Sequence, residues 1–88
     1  MALIVEKYGG TSVGSIERIN AVAEKVSRTH AAGNQMVIVV SAMSGETNRL
    51  LEMAKEISSD MPAREADVLV STGEQVTIAL LCLSLIHI

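Results

Sequence analysis

The run Met36-Val37-Ile38-Val39-Val40 constrains the fold of this chain more than any other feature. It is continuous, mostly β-branched and too short for a core helix, so it reads as a strand buried on both faces. Leu3-Ile4-Val5, closed by Gly9-Gly10, is a second run of the same kind. Between them Ile16, Ile19, Val22, Ala23 and Val26 recur at three- and four-residue steps, which sets them on one face of a helix. Glu17, Arg18, Glu24, Lys25 and Arg28 fall mostly on other faces, and Gly33-Asn34 is a stop signal. Strand, helix and strand in this order form a right-handed crossover with parallel strands. Two parallel strands do not finish a sheet that needs cover on both faces. The sequence therefore asks for a larger α/β sheet than its 88 residues contain.

Downstream, Ser41 to Gly45 reads as a loop, and Leu50, Leu51, Ala54 and Ile57 place a helical stripe on about Thr47 to Ser58. Ser58-Ser59-Asp60-Met61-Pro62 breaks that pattern. A third helix is expected from about Ala63 to Val70, an interruption at Ser71-Thr72-Gly73, and a fourth helix from Glu74 through Leu81. Hydrophobic residues at 49% and charged residues at 19% describe a globular chain rather than a disordered one. Cys82 is the single cysteine, so no internal disulfide can form; its apolar flanks suggest a small core residue in a reducing compartment.

A net charge of -3 and one aromatic residue exclude a basic, base-stacking surface, so no nucleic-acid partner is expected. Glu6 and Lys7 end the first apolar run before a signal-peptide core could form. The apolar stretch from Val76 to Ile88 is shorter than the ~20 residues that span a bilayer. The expectation is a cytoplasmic chain with no membrane partner.

In an open α/β sheet, ligands bind beyond the carboxyl ends of the strands. Two loops rich in glycine and hydroxyl residues stand there, Lys7 to Gly14 and Ser41 to Asn48. Glycines let a backbone approach phosphate oxygens and accept positive φ. Free amides at the start of a helix attract an anion, and Lys7 could set an ammonium against a moving phosphoryl group. Neither familiar nucleotide loop is present. Gly9 and Gly14 have Walker spacing, but Ser15 stands where lysine is required, and Thr11 occupies the second glycine of the dinucleotide pattern. On these grounds alone, Lys7-x-Gly9-Gly10 also fits a plain tight turn beside a solvated lysine.

The run Val5-Glu6-Lys7-Tyr8-Gly9-Gly10-Thr11-Ser12-Val13 closely resembles the aspartokinase signature, which usually has phenylalanine where Tyr8 stands. The segment from Val39 to Leu50, with Ser41-Ala42-Met43-Ser44-Gly45-Glu46-Thr47-Asn48, resembles the next conserved segment of that family, and Ser71-Thr72-Gly73-Glu74-Gln75 resembles its third. The three motifs stand in the family's order and cover residues 2 to about 82.

The resemblance implies the three-layer α/β/α amino-acid-kinase fold (carbamate kinase-like), here truncated, with 1–82 as the N-terminal part of the kinase domain. It implies ATP and L-aspartate as substrates, with magnesium carried on the nucleotide. The product would be 4-phospho-L-aspartate, on the route to lysine, threonine and methionine. By resemblance, Lys7, Tyr8, Gly9 and Gly10 form the ATP phosphate site, with Lys7 catalytic and Ser41 close to the phosphates. Thr47 and Glu74 bind aspartate, Glu74 facing its α-ammonium. Family members are homo-oligomers, built largely by sequence beyond this chain.

Plainer roles stand beside these. Thr47 can cap a helix, Glu74 can complement a helix N-terminus, and Ser41 can bond its own backbone. His30 suits a solvated helix C-terminus, and no metal-ligand cluster is visible. Resemblance fades after Leu81. Leu83-Ser84-Leu85-Ile86-His87-Ile88 reads like a translated sequencing adapter, so 83–88 is expected to be a non-native tail and the polypeptide to be inactive alone.

Overall fold

A computed structural model describes residues 1–88. Strand β1 (Leu3–Tyr8), helix α1 (Ile16–Ala31), strand β2 (Gln35–Val40), helix α2 (Glu46–Ile57) and helix α3 (Ala63–Ile86) follow in order. The strands pair in parallel from Leu3 opposite Gln35 to Tyr8 opposite Val40, as the two apolar runs predict. Helix α1 starts where Ser15 Oγ accepts the Arg18 amide at 3.2 Å, a side-chain cap. It ends at Gly33, whose φ of 99° is the left-handed conformation that glycine tolerates. Asn34 then ties the turn to both neighbours: its Nδ2 donates to the Thr29 carbonyl at 2.9 Å, and its Oδ1 accepts from the Ala2 amide at 3.3 Å.

The core is one cluster: Val13, Ile19, Val22, Ala23, Val26 and Leu81, with Tyr8, Met36, Ile38 and Val40 packed on it. Helices α1 and α3 thus cover one face of the sheet, the face carrying every second strand residue from Ile4 and Met36. The other face is open. Leu3 and Val5 are 66% and 64% exposed there, beside Val37 and Val39. Cover on both faces was the expectation from the apolar runs, and this chain provides it on one.

Three further expectations are corrected. No helix break occurs at Ser71-Thr72-Gly73, because α3 is continuous for 24 residues. The hydroxyls that suggest a turn bond back within the helix instead, Ser71 Oγ to the Val68 carbonyl and Thr72 Oγ1 to the Leu69 carbonyl, each at 2.7 Å. At this length, with an 18-residue stretch of mean hydropathy 1.7, α3 is long and apolar enough to cross a membrane by composition, unlike the shorter stretch read from the sequence. Its apolar residues pack in part on α1 and α2. Cys82 is exposed rather than in the core. The inward face of α3 is set by Gly73, Thr77 and Leu81 at four-residue steps, and Cys82 lies one position round from it.

Candidate active site

Two loops leave the carboxyl ends of β1 and β2 side by side, and the backbone joins them. The Tyr8 carbonyl accepts the Ser41 amide at 3.1 Å, and the Gly10 carbonyl accepts the Ser44 amide at 3.2 Å. The first loop folds on itself through Ser12 N–H to the Gly9 carbonyl at 3.0 Å and is pinned by Val13, which is wholly buried. Gly10 runs so close to the second loop that a Cβ there would stand 2.9 Å from the Ala42 carbonyl oxygen. Close approach, not positive φ, is what calls for glycine: the positive-φ glycines of the chain are Gly33 and Gly45.

Gly45 is the N-cap of α2, at φ 84°, and brings no capping side chain. The Thr47 and Asn48 amides have no intramolecular acceptor, and both residues lie beside the joined loops. The sequence placed such free amides on the helix after β1, where Ser15 caps Arg18 alone and the Ile16 and Glu17 amides stay without an acceptor; the start of α2 adds a second such helix start. Helix α3 closes the third side. Gly73 is buried against the second loop, where an added Cβ would lie 3.1 Å from Ala42 Cβ and 3.5 Å from Leu50 Cδ1. That contact delivers the next residue, Glu74, to the cleft.

The resulting cleft has a volume of ≈ 290 Å³ and is lined by Gly10, Ser41, Thr47 and Glu74 together with Ala42, Met43, Ser44, Gly45 and Asn48. Four of the residues singled out from the sequence therefore meet in one place. Gly9 lies in the adjoining turn. Lys7 sits at the end of β1, exposed on the open sheet face and one residue before the joined loops. Tyr8 points the opposite way. Its ring lies against α1, with Lys25 Nζ 5.7 Å from the ring centroid, and its hydroxyl donates to Glu6 Oε1 at 3.1 Å. Burial, then the Glu6 hydrogen bond and charge, raise the Tyr8 pKa above the ordinary tyrosine value. Tyr8 reaches the cleft only through its carbonyl, which holds Ser41.

The two plain alternatives at α2 and α3 do not apply. Thr47 lies inside the first turn rather than at the cap, and Glu74 is mid-helix. Ser44 and Asn48 line the cleft and were not singled out from the sequence as site residues; the lone signal was their place in the second loop.

A model of the amino acid kinase family matches residues 2–87. The chain belongs to the amino acid kinase family. It is 66% identical over 86 residues to an aspartate kinase of Pseudomonas putida, covering 98% of this chain and 21% of that protein. An aspartokinase of Helicobacter pylori is 57% identical over 94% of this chain and 20% of its own length. The crystal structure of an aspartate kinase from Synechocystis superposes with a TM-score of 0.93 at 53% identity, covering 97% of this chain and 14% of that one. The chain thus spans about a fifth of the length of the first two kinases and about a seventh of the third, and has the fold of a truncated α/β amino acid kinase domain.

The Gly73 contact gives a direct test. Gly73→Leu is expected to destabilise the chain by about 1–3 kcal/mol through overpacking, measured by urea unfolding. Gly73→Ala is expected to be near neutral. Removing a mid-helix glycine gains ~1 kcal/mol, and the 3.1 Å approach to Ala42 offsets it.

Proposed function

We propose that this chain forms the loop-and-helix half of an aspartate kinase active site, where the γ-phosphoryl group of ATP passes to the side-chain carboxylate of L-aspartate. The products are ADP and 4-phospho-L-aspartate, which feeds synthesis of lysine, threonine and methionine in the cytoplasm. One observation carries the reading: three separate sequence motifs meet in a single cleft beyond the carboxyl ends of parallel strands. The 66% identity to a protein named aspartate kinase supports the choice of aspartate.

Phosphoryl transfer needs positioning and charge neutralisation more than covalent chemistry. The peptide nitrogens of the Gly9-Gly10 loop and the uncapped start of α2 supply fixed partial positive charge toward the phosphates. Lys7 extends its ammonium over the rim to the moving phosphoryl group, and the Ser41 hydroxyl contacts the phosphates. Thr47 orients the aspartate, and the Glu74 carboxylate pairs with its α-ammonium. Glu74 is the sole carboxylate lining the cleft, and one carboxylate does not make a magnesium cage. The donor set fits phosphate oxygens and an ammonium instead, and magnesium enters on the nucleotide. The other four-fifths of the relatives' length supplies the opposing half of the site in this reading, so the 88-residue chain alone is expected to show no turnover.

The test is a hybrid in which residues 1–82 replace the matching segment of the Pseudomonas putida kinase. The hybrid is expected to phosphorylate aspartate. Glu74→Gln should raise its KM for aspartate by roughly 10- to 100-fold, since a hydrogen bond to a charged group contributes about 1.5–3 kcal/mol, with KM for ATP unchanged. An inactive but folded hybrid, or a change confined to ATP, refutes the assignment.

A further inference from the structure

The segment from Ser41 to Leu50, which supplies most of the cleft, carries two charged side chains, Glu46 and Arg49. They are paired with each other. Arg49 Nη2 and Nε reach the same oxygen, Glu46 Oε2, at 2.8 and 2.9 Å, and this is the one ion pair of the chain. Neither residue lines the cleft. Both line a neighbouring hollow of ≈ 190 Å³, with the buried Leu50 and Gly73 in its wall. Residues three apart share a helix face, and here that face turns to Gly73, whose added Cβ would lie 3.8 Å from Glu46 Cβ.

An exposed pair of this kind adds little to stability. Its place in the chain gives it another use. Glu46 is the first residue of α2, and Thr47 and Asn48, whose amides have no acceptor, follow it directly. An acid in a first turn is drawn to such amides, and its charge cancels the partial positive charge that a helix start offers to an anion. The cleft as read above has to hold a polyphosphate and an amino acid with two carboxylates. Glu74 has a cation to meet, the α-ammonium of aspartate. Glu46 meets none on either substrate, and Arg49 supplies it. Held on the Gly73 side of α2, the Glu46 carboxylate neither covers the free amides nor sets an unbalanced negative charge beside them.

We propose that Arg49 is a positioning residue of the kinase site: it holds the Glu46 carboxylate away from the uncapped start of α2, so that those amides stay open to the nucleotide phosphates. The proposal rests on the assignment of the cleft to ATP and aspartate. In the hybrid kinase, Arg49→Gln is expected to raise both KM for ATP and the dissociation constant for ATP in isothermal titration, by about three- to tenfold. The rise should shrink as salt increases. The freed carboxylate opposes the nucleotide equally before and in the transition state, so kcat should stay within about twofold. Glu46→Gln should leave ATP affinity within about twofold of the parent, and the double variant Glu46→Gln/Arg49→Gln should restore it. Urea midpoints should stay level across all three variants.

Rescue in the double variant decides the matter. A double variant as weak as Arg49→Gln means that Arg49 touches the nucleotide itself. A Glu46→Gln variant as weak as Arg49→Gln means that the pair only braces the helix. Either result overturns the proposal, as does unchanged ATP affinity in Arg49→Gln. Titration reads ATP binding without turnover. A hybrid that shows this pattern of ATP binding but does not phosphorylate aspartate therefore refutes the function proposed above and leaves Arg49 its role, whereas a hybrid that binds no ATP refutes both.

Discussion

In the hybrid kinase, Lys7→Ala is expected to lower kcat by about 10²–10³-fold, the loss that follows removal of one preorganised donor to transition-state charge. KM for aspartate should hardly change, because Lys7 is assigned to the phosphoryl group and not to the amino acid. Stability should also hold. Lys7 is exposed at the end of β1, opposite Val39, and its side chain is not part of the core. This separates a role in chemistry from a role in folding. Lys7→Arg should rescue poorly, since a planar fork does not replace a compact ammonium on a single phosphoryl group. Steady-state kinetics at saturating ATP and aspartate give the answer. An alanine variant with unchanged kcat removes Lys7 from the mechanism.

The sequence carried most of the element order because the two β-branched runs and the α1 stripe each admit one reading. Ile19, Val22, Ala23 and Val26 are buried as their spacing requires. The same reasoning overstated α2, where Leu50 is the one buried residue and Ile57 faces solvent. An apolar stripe marks what a helix offers for burial, and only the tertiary partners decide whether it is used. The missed continuity of α3 has a related cause. Serine, threonine and glycine in succession are poor helix formers as isolated residues, yet here two hydroxyls find carbonyls one turn back and the glycine buys a close contact with Ala42.

The candidate site was legible at the level of motifs and not of geometry. The sequence singled out Gly10, Ser41, Thr47 and Glu74, and they line one cleft. Nothing in residue order could show that Tyr8 turns toward α1 while Lys7 turns away from it; strand alternation separates neighbours onto opposite faces, and which face is covered is a property of the fold. Nor could it show which helix start lines the cleft. Ser15 is a capping residue and Gly45 is not, but only the loop connections bring the uncapped end beside the Gly10 turn.

Gly9 and Gly10 should respond in opposite directions to the same substitution. At Gly10 a Cβ meets the Ala42 carbonyl oxygen at 2.9 Å and the Ser44 amide nitrogen at 3.4 Å, both backbone atoms with no rotamer to relieve the contact. The loops would have to part, stretching the 3.2 Å hydrogen bond from the Ser44 amide to the Gly10 carbonyl that joins them. Overpacking of this kind costs about 1–3 kcal/mol, more than the ~0.4–1 kcal/mol gained by restricting the unfolded chain. At Gly9 nothing lies within 4 Å of the added Cβ, and its φ is not positive. There the unfolded-state gain stands alone, so Gly9→Ala should be neutral to slightly stabilising. Urea unfolding of both variants measures the difference directly. In the hybrid, Gly10→Ala should also depress turnover, because the displaced loops carry both Ser41 and the open start of α2. Equal stabilities for the two variants would mean that the approach of the loops is not what selects glycine at position 10, and the joined-loop geometry of the cleft would then need another basis.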